Sequence, residues 1–323
     1  MQFNKPRSCS GVGINSDPIN VADLILNARG RSVNDQDVCF KSGQLSLAGV
    51  IRRPAGLKSS ERRPAFIVLH GFGSTMESDN ARVPCSRLSA LGYVTMRFDM
   101  RGCGRSEGEK GRVICLEQVA DTCAAVSFMA SQANVDPQRI AVLGSSFGAA
   151  VAVYSAGVDD RIAAVISSGG WGNGETKFRG QHSTPDAWAK FVAMLEAGRA
   201  HKQRTGDSLM VPRYDIVPIP EHMRTHVAPG SIQMFPAETA QSMYDFKAEA
   251  VIGKIAPRPV LLLHSAKDSV TPTQQSIDLF NHAGQPCDLH LFSETDHFMF
   301  ADTNLRVWTV IDDWLAKYFP VSA

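Results

Sequence analysis

The sequence predicts an α/β protein: a mostly parallel central sheet flanked by helices, with an inserted cap. Three observations lead there. Ala65–Leu69, Ile140–Leu143 and Pro259–His264 are continuous apolar runs without alternation, the mark of strands buried on both faces. Segments of helical periodicity separate most such runs, the rhythm of βαβ units. That rhythm halts at Gly169-Gly170-Trp171 and resumes at Pro259, and the intervening ~80 residues are too many for an ordinary connection. With 323 residues, 44% of them hydrophobic and 20% charged, one core fold with an inserted piece is expected. The expected division is 1–35 as an N-terminal extension, 36–170 and 251–323 as two halves of the core, and 171–250 as the cap.

In chain order, residues 1–35 are punctuated by Gly, Asn, Ser and Pro, with a weak helical pattern at Val21–Leu26. Asp37–Phe40 and Leu45–Arg52, joined through Ser42-Gly43, read as a hairpin. Ala65–His70 is a central strand running into Gly71-Phe72-Gly73. Ala81–Leu91 has helical character and ends at Gly92; Tyr93–Asp99 supplies the next strand. A turn-rich loop, Arg101–Gly108, precedes a long helix over Val113–Ala133 whose apolar face carries Leu116, Val119, Ala120, Cys123, Ala124, Val126 and Met129.

The strand of Ile140–Leu143 then meets a helix beginning near Gly148 and ending about Ser155, followed by a strand at Ile162–Ser167. In the insertion, Ser183-Thr-Pro-Asp186 is a helix start, with Trp188, Phe191, Val192 and Leu195 on one face. Prolines at 212, 218, 220, 229 and 236 break the path before a helix at Ala237–Ala248. Past Pro259–His264 come a helix (Thr273–Ala283), a strand (Asp288–Phe292) and a last helix (Leu305–Tyr318).

Gly144-Ser145-Ser146-Phe147-Gly148, at the strand-to-helix junction, fits Gly-x-Ser-x-Gly. A serine at the apex of so sharp a turn sits in strained backbone, and small residues two positions to either side avoid collision. Ser146 is therefore the candidate nucleophile. Ser145 is the competing register, flanked at the same offsets by the bulky Leu143 and Phe147. A serine needs a base to take its proton and an acid to orient that base. The strand ending at His264 is followed by Asp268 and the strand ending at Phe292 by His297, so Ser146, Asp268 and His297 occur in the chain order of Gly-x-Ser-x-Gly hydrolases.

These motifs, together with His70-Gly-Phe-Gly73 and Asp99-Met-Arg-Gly-Cys-Gly-Arg-Ser106, resemble the α/β-hydrolase superfamily. The resemblance covers residues 36–170 and 251–320 and is especially close to the dienelactone hydrolase, serine aminopeptidase and X-Pro peptidase-like branches. It implies the α/β-hydrolase fold and a catalytic triad of Ser146, Asp268 and His297. It further implies an oxyanion hole made by the backbone N–H groups of Phe147 and Phe72, and a lid formed by the insertion. Phe72, Phe147 and Trp171 are expected to contact substrate, and Met194, Met210, Met223, Met234 and Phe235 to supply apolar lid surface. The expected activity is cofactor-independent cleavage of a carboxylic ester of a small or medium, fairly apolar molecule. A thioesterase, lactonase, aminopeptidase or carbon–carbon hydrolase uses the same machinery, and a non-catalytic ligand receptor uses the same fold. A peptidase needs an acid for the substrate's α-amino group, with Glu175, Asp186, Glu196, Glu221 and Glu238 available.

The remaining polar residues have structural readings. His70 and His264 are strand-end side chains bonded to nearby loops. Asp99 is a loop-fixing carboxylate and the rival to Asp268; Arg101 and Arg105 stabilise turns, and Cys103 is a buried thiol. His222 and His226 are spaced i, i+4 but lack the glutamate of a zinc motif, so no metal is expected. With 33 basic and 32 acidic residues, no field gathers nucleic acid or an anionic membrane. Seven scattered cysteines without a CxxC pair argue against a disulfide framework. No stretch resembles a signal peptide or a membrane span. The expectation is a cytoplasmic protein acting on a small-molecule ester, with a homodimer compatible with the sequence.

Overall fold

In the computed structural model, residues 35–300 and 305–322 are described; the expectations for residues 1–34, Val21–Leu26 included, lie outside them. The chain runs β1 (Asp35–Ser42), β2 (Leu45–Arg52), β3 (Arg63–Leu69), α1 (Asp79–Ala90), β4 (Val94–Phe98), α2 (Cys115–Ala130), β5 (Val135–Ser145), α3 (Phe147–Val158) and β6 (Ile162–Ser168). Next come α4 (Gly174–Gln181), α5 (Pro185–Thr205), β7 (Met210–Pro212), α6 (Arg213–Ile216), β8 (Met234–Pro236), α7 (Ala237–Asp245) and α8 (Glu249–Ile252). The last elements are β9 (Val260–Ser265), α9 (Gln274–His282), β10 (Cys287–Phe292) and α10 (Leu305–Tyr318).

Among the described residues, eight strands form one sheet in the order β1-β2-β4-β3-β5-β6-β9-β10. The β1–β2 and β2–β4 pairings are antiparallel and every other pairing is parallel. This is the mostly parallel sheet that the apolar runs predict. Alternate residues of each strand enter opposite layers. Ile67, Val142 and Leu262 pack with α2, α3 and α9, whereas Val68, Leu143 and Leu263 pack with α1 and α10. Covering both faces removes the strands' apolar side chains from water, which accounts for runs without alternation.

One expectation changes. The buried face of α2 is formed by Cys115, Gln118, Val119, Asp121, Thr122, Ala125, Val126 and Met129, while Leu116 is 57% exposed and Ala120 also faces out. The face is rotated because Asp121 is drawn inward by Arg101, whose Nε lies 2.9 Å from Asp121 Oδ1. The insertion shares the sheet's core. Phe178, Phe191, Leu195, Phe235, Met243 and Phe246 belong to the same apolar cluster as the sheet, and the insertion packs within one compact unit.

Within the insertion α5 starts as predicted: the Thr184 hydroxyl accepts the Ala187 N–H, with Pro185 at the first turn. Phe191, Leu195 and Gly198 are its buried side. The proline-broken stretch holds a small antiparallel ribbon, β7 with β8, that hydropathy gave no sign of. No helix among the described residues is long and apolar enough to cross a membrane.

Candidate active site

Parallel strands deliver their exits to one edge of the sheet, and a site forms where the strand order reverses. Here β3 and β5 are neighbours, so the Gly71–Gly73 loop leaving β3 lies beside the turn leaving β5. Asp268 leaves β9 and His297 follows β10.

The turn after β5 is as tight as the pentapeptide requires. Ser146 has φ 56 and ψ −115 and immediately precedes α3. A Cβ at Gly144 would stand 2.1 Å from Gly148 O, and one at Gly148 would stand 2.6 Å from the carbonyl oxygens of Leu69 and His70. Backbone cannot yield to such contacts, so both positions must be glycine for strand β5 to turn into α3 against β3.

Ser146 Oγ lies 2.8 Å from His297 Nε2, and His297 Nδ1 lies 2.8 Å from Asp268 Oδ2. The three predicted side chains therefore meet in one hydrogen-bonded row; Ser145, 1% exposed and paired with Ser168 in the sheet, is not part of it. His297 passes over the exit of β6, where Gly169 has φ +64; a Cβ there would crowd its ring at 3.3 Å. Asp268 Oδ1 also accepts the N–H groups of Val270 and Thr271, at 2.8 and 2.7 Å. Burial by itself raises the pKa of such a carboxyl, but the imidazoles of His297 and His264 carry it far below the ordinary carboxylate range.

Neither the Phe72 N–H nor the Phe147 N–H donates to any group among the described residues. Phe147 is the first residue of α3, where an N–H has no intrahelical acceptor and the helix dipole favours negative charge. The Phe72 ring borders the cavity beside Ser146 and stacks on Phe235, with centroids 4.3 Å apart. Phe147 and Trp171 are each 1% exposed, lie against one another and do not border that cavity. Both side chains pack behind the turn.

The rivals take the structural places expected of them. Asp99 Oδ1 accepts the Met76 N–H at 2.7 Å and Oδ2 the Arg105 N–H at 2.8 Å, which fixes two loops. His70 Nδ1 donates to Gly71 O at 2.8 Å while its Nε2 accepts the Met100 N–H. Burial pushes the Cys103 thiol up to about 12. Asp296 Oδ1 accepts the N–H groups of Ser269 and His297.

The cavity beside Ser146 is small, about 40 Å³. Its roof is the proline-broken part of the insertion: Val217, Ile219, His226, Val227 and Ser231. None of Met194, Met210, Met223, Met234 and Phe235 borders it. Met210 and Met234 are 45% and 44% exposed, and Met223 and Phe235 are buried in the core. Two residues of the site were not foreseen. His264 touches Asp268 besides bonding to its loop, a relation visible only as i, i+4 spacing at a strand end. Arg213 borders the cavity, and nothing in its Pro-Arg-Tyr context marks it.

Known proteins share this architecture. The family profile described as "Serine aminopeptidase, S33" matches residues 60–304. An uncharacterized 31.7 kDa protein in the traX-finO intergenic region of Escherichia coli is 25% identical over 284 residues, 84% of this chain and 96% of that protein. Thiohydrolase aneE of Aspergillus aculeatus is 26% identical over 255 residues, 72% of this chain and 78% of that protein. The crystal structure of the α/β hydrolase GrgF from Penicillium superposes with a TM-score of 0.72 at 19% identity, covering 88% of this chain and 98% of that one.

Proposed function

This chain belongs to the serine aminopeptidase (S33) family of the α/β-hydrolase superfamily, and on that premise we propose that it is a serine hydrolase cleaving a carboxylic ester through an acyl-enzyme on Ser146. The observation that carries the reading is the row Ser146 Oγ, His297 Nε2, His297 Nδ1, Asp268 Oδ2, with both links at 2.8 Å.

In the proposed reaction Ser146 Oγ attacks the acyl carbon as its proton passes to His297 Nε2. The imidazolium so formed donates through Nδ1 to Asp268, which stays ionised. The developing oxyanion takes the free N–H groups of Phe147 and Phe72, each such donor contributing about 3 kcal/mol to the barrier reduction. His297 returns its proton to the leaving oxygen as the acyl–oxygen bond breaks. Water, deprotonated by the same nitrogen, then releases the acid and restores Ser146.

The family description raises the aminopeptidase alternative, and the cavity speaks against it. A cationic α-amino group needs a carboxylate partner where it is desolvated. Among the described residues, no Asp or Glu borders the cavity. Glu175 pairs with Arg179, Glu238 lies near Lys202, and Asp186, Glu196 and Glu221 are exposed. A thioester is the second reading, favoured by the similarity to a protein named a thiohydrolase, since the same steps expel a thiolate. The test sets ethyl esters, the matching thioesters and aminoacyl anilides against one another, with fluorophosphonate labelling of Ser146 as the readout of the nucleophile. Ester or thioester turnover with labelling is expected; a folded protein that resists labelling refutes the proposal.

A further inference from the structure

Arg213 is 3% exposed, yet it borders the cavity that holds Ser146 and His297. Its Nε donates to Ile232 O at 2.7 Å and its Nη2 to Gly73 O at 3.0 Å, and the guanidinium lies 5.2 Å from the Phe72 ring centroid and 5.5 Å from that of Phe235. These contacts fasten one edge of the fork between the loop after β3 and Ile232 of the insertion. Nη1 donates to no group among the described residues and is not sealed into the protein. No carboxylate lies within ion-pair distance of Arg213 among the described residues, and none borders the cavity. Burial without a counter-ion lowers its pKa to about 10.

A buried cation without an acid is costly, and neutral carbonyls and ring faces offset only part of that cost. A planar fork with one edge fixed is oriented to meet a carboxylate on the other. A residue needed only to hold Gly73 could do so without a desolvated charge at the mouth of the reacting site.

We propose that Arg213 determines specificity by binding a carboxylate on the substrate, so that the enzyme acts on esters or thioesters bearing a second, ionised acid group close to the scissile carbonyl. The proposal rests on Ser146 being the nucleophile, and fluorophosphonate labelling reads that separately.

The test compares monoethyl malonate and monoethyl succinate with their half-amide counterparts, ethyl malonamate and ethyl succinamate, which match them in shape but carry no charge. A second pair, acetylglycolate and acetylglycolamide, puts the charge on the alcohol side. Wild type is expected to favour the charged member of at least one pair by about tenfold or more in kcat/KM, as for a hydrogen bond to a charged group. In Arg213→Met that ratio should fall to about one while labelling persists, and Arg213→Lys should lie between. Because Arg213→Met also loosens the Gly73 loop, wild type supplies an independent measure: malonate or succinate should slow fluorophosphonate labelling, and their diamides should not. No preference in wild type for any charged member, or a ratio unchanged in Arg213→Met, overturns the assignment of Arg213 and leaves the Ser146 reading standing. Wild type that is folded but unlabelled refutes both.

Discussion

His264 Nε2 lies 3.2 Å from Asp268 Oδ2, the oxygen that also receives His297 Nδ1 at 2.8 Å. Its Nε2 faces a second acceptor, Thr271 O at 3.0 Å, so this nitrogen carries the proton, and Nδ1 takes the Ser276 hydroxyl at 2.6 Å. The carboxylate is thereby held between two imidazoles and two backbone N–H groups. Replacing His264 with Phe removes one hydrogen bond to a charged group and should lower kcat about tenfold, with smaller change in KM. An unchanged kcat in ester turnover would show that His264 serves the β9 loop alone.

Asp268 also sets the acid behaviour. Its carboxyl is held far below the ordinary 3.8 despite burial, so its stabilising interactions are fully present above that pH and are lost only as pH falls through the depressed value. The profile of log kcat/KM against pH should therefore show no proton uptake by the Asp268 carboxyl down to about pH 4, and such uptake there would mean that the carboxyl is not held low.

Ser146→Ala should reduce kcat by about 10⁶-fold and abolish fluorophosphonate labelling. The strained φ of 56 adds a second consequence, because Gly adopts such backbone freely. Ser146→Gly should be more stable than Ser146→Ala by about 1 kcal/mol in urea unfolding. Equal stability of the two variants would argue that the turn holds no strain.

Lys177 is 2% exposed, its Nζ has no hydrogen-bond partner, and it sits 3.8 Å from the Phe178 ring centroid and 4.6 Å from that of Trp171. Burial lowers its pKa from 10.5 to about 7. The unfolded chain therefore binds more protons between those values, and stability should rise with pH across that window. At ~1.4 kcal/mol per pKa unit, that shift disfavours the charged form by a few kcal/mol below pH 7. Lys177→Met should thus stabilise the protein by a few kcal/mol more at pH 6.5 than at pH 10, measured by denaturant unfolding. Equal gains at both pH values would exclude a buried charge as the cause.

The sequence by itself determined the layered α/β architecture and the serine turn, because both follow from local rules. Runs such as Ile140–Leu143 have no polar face to show water, and Gly144 and Gly148 leave the only backbone on which Ser146 can turn. The chain order also made Asp268 and His297 legible, each just past a strand end. Tertiary structure alone decided the rest, since those contacts join residues with no fixed separation along the chain. The order β5-β6-β9-β10 brings His297 across Gly169 to Ser146; Arg101 turns Asp121, rather than Leu116, into the core; and the proline-broken segment, not the methionines, roofs the cavity and places Arg213 beside it. Periodicity reports which face of an element avoids water, but the neighbour that covers that face is set by the packing of the whole chain.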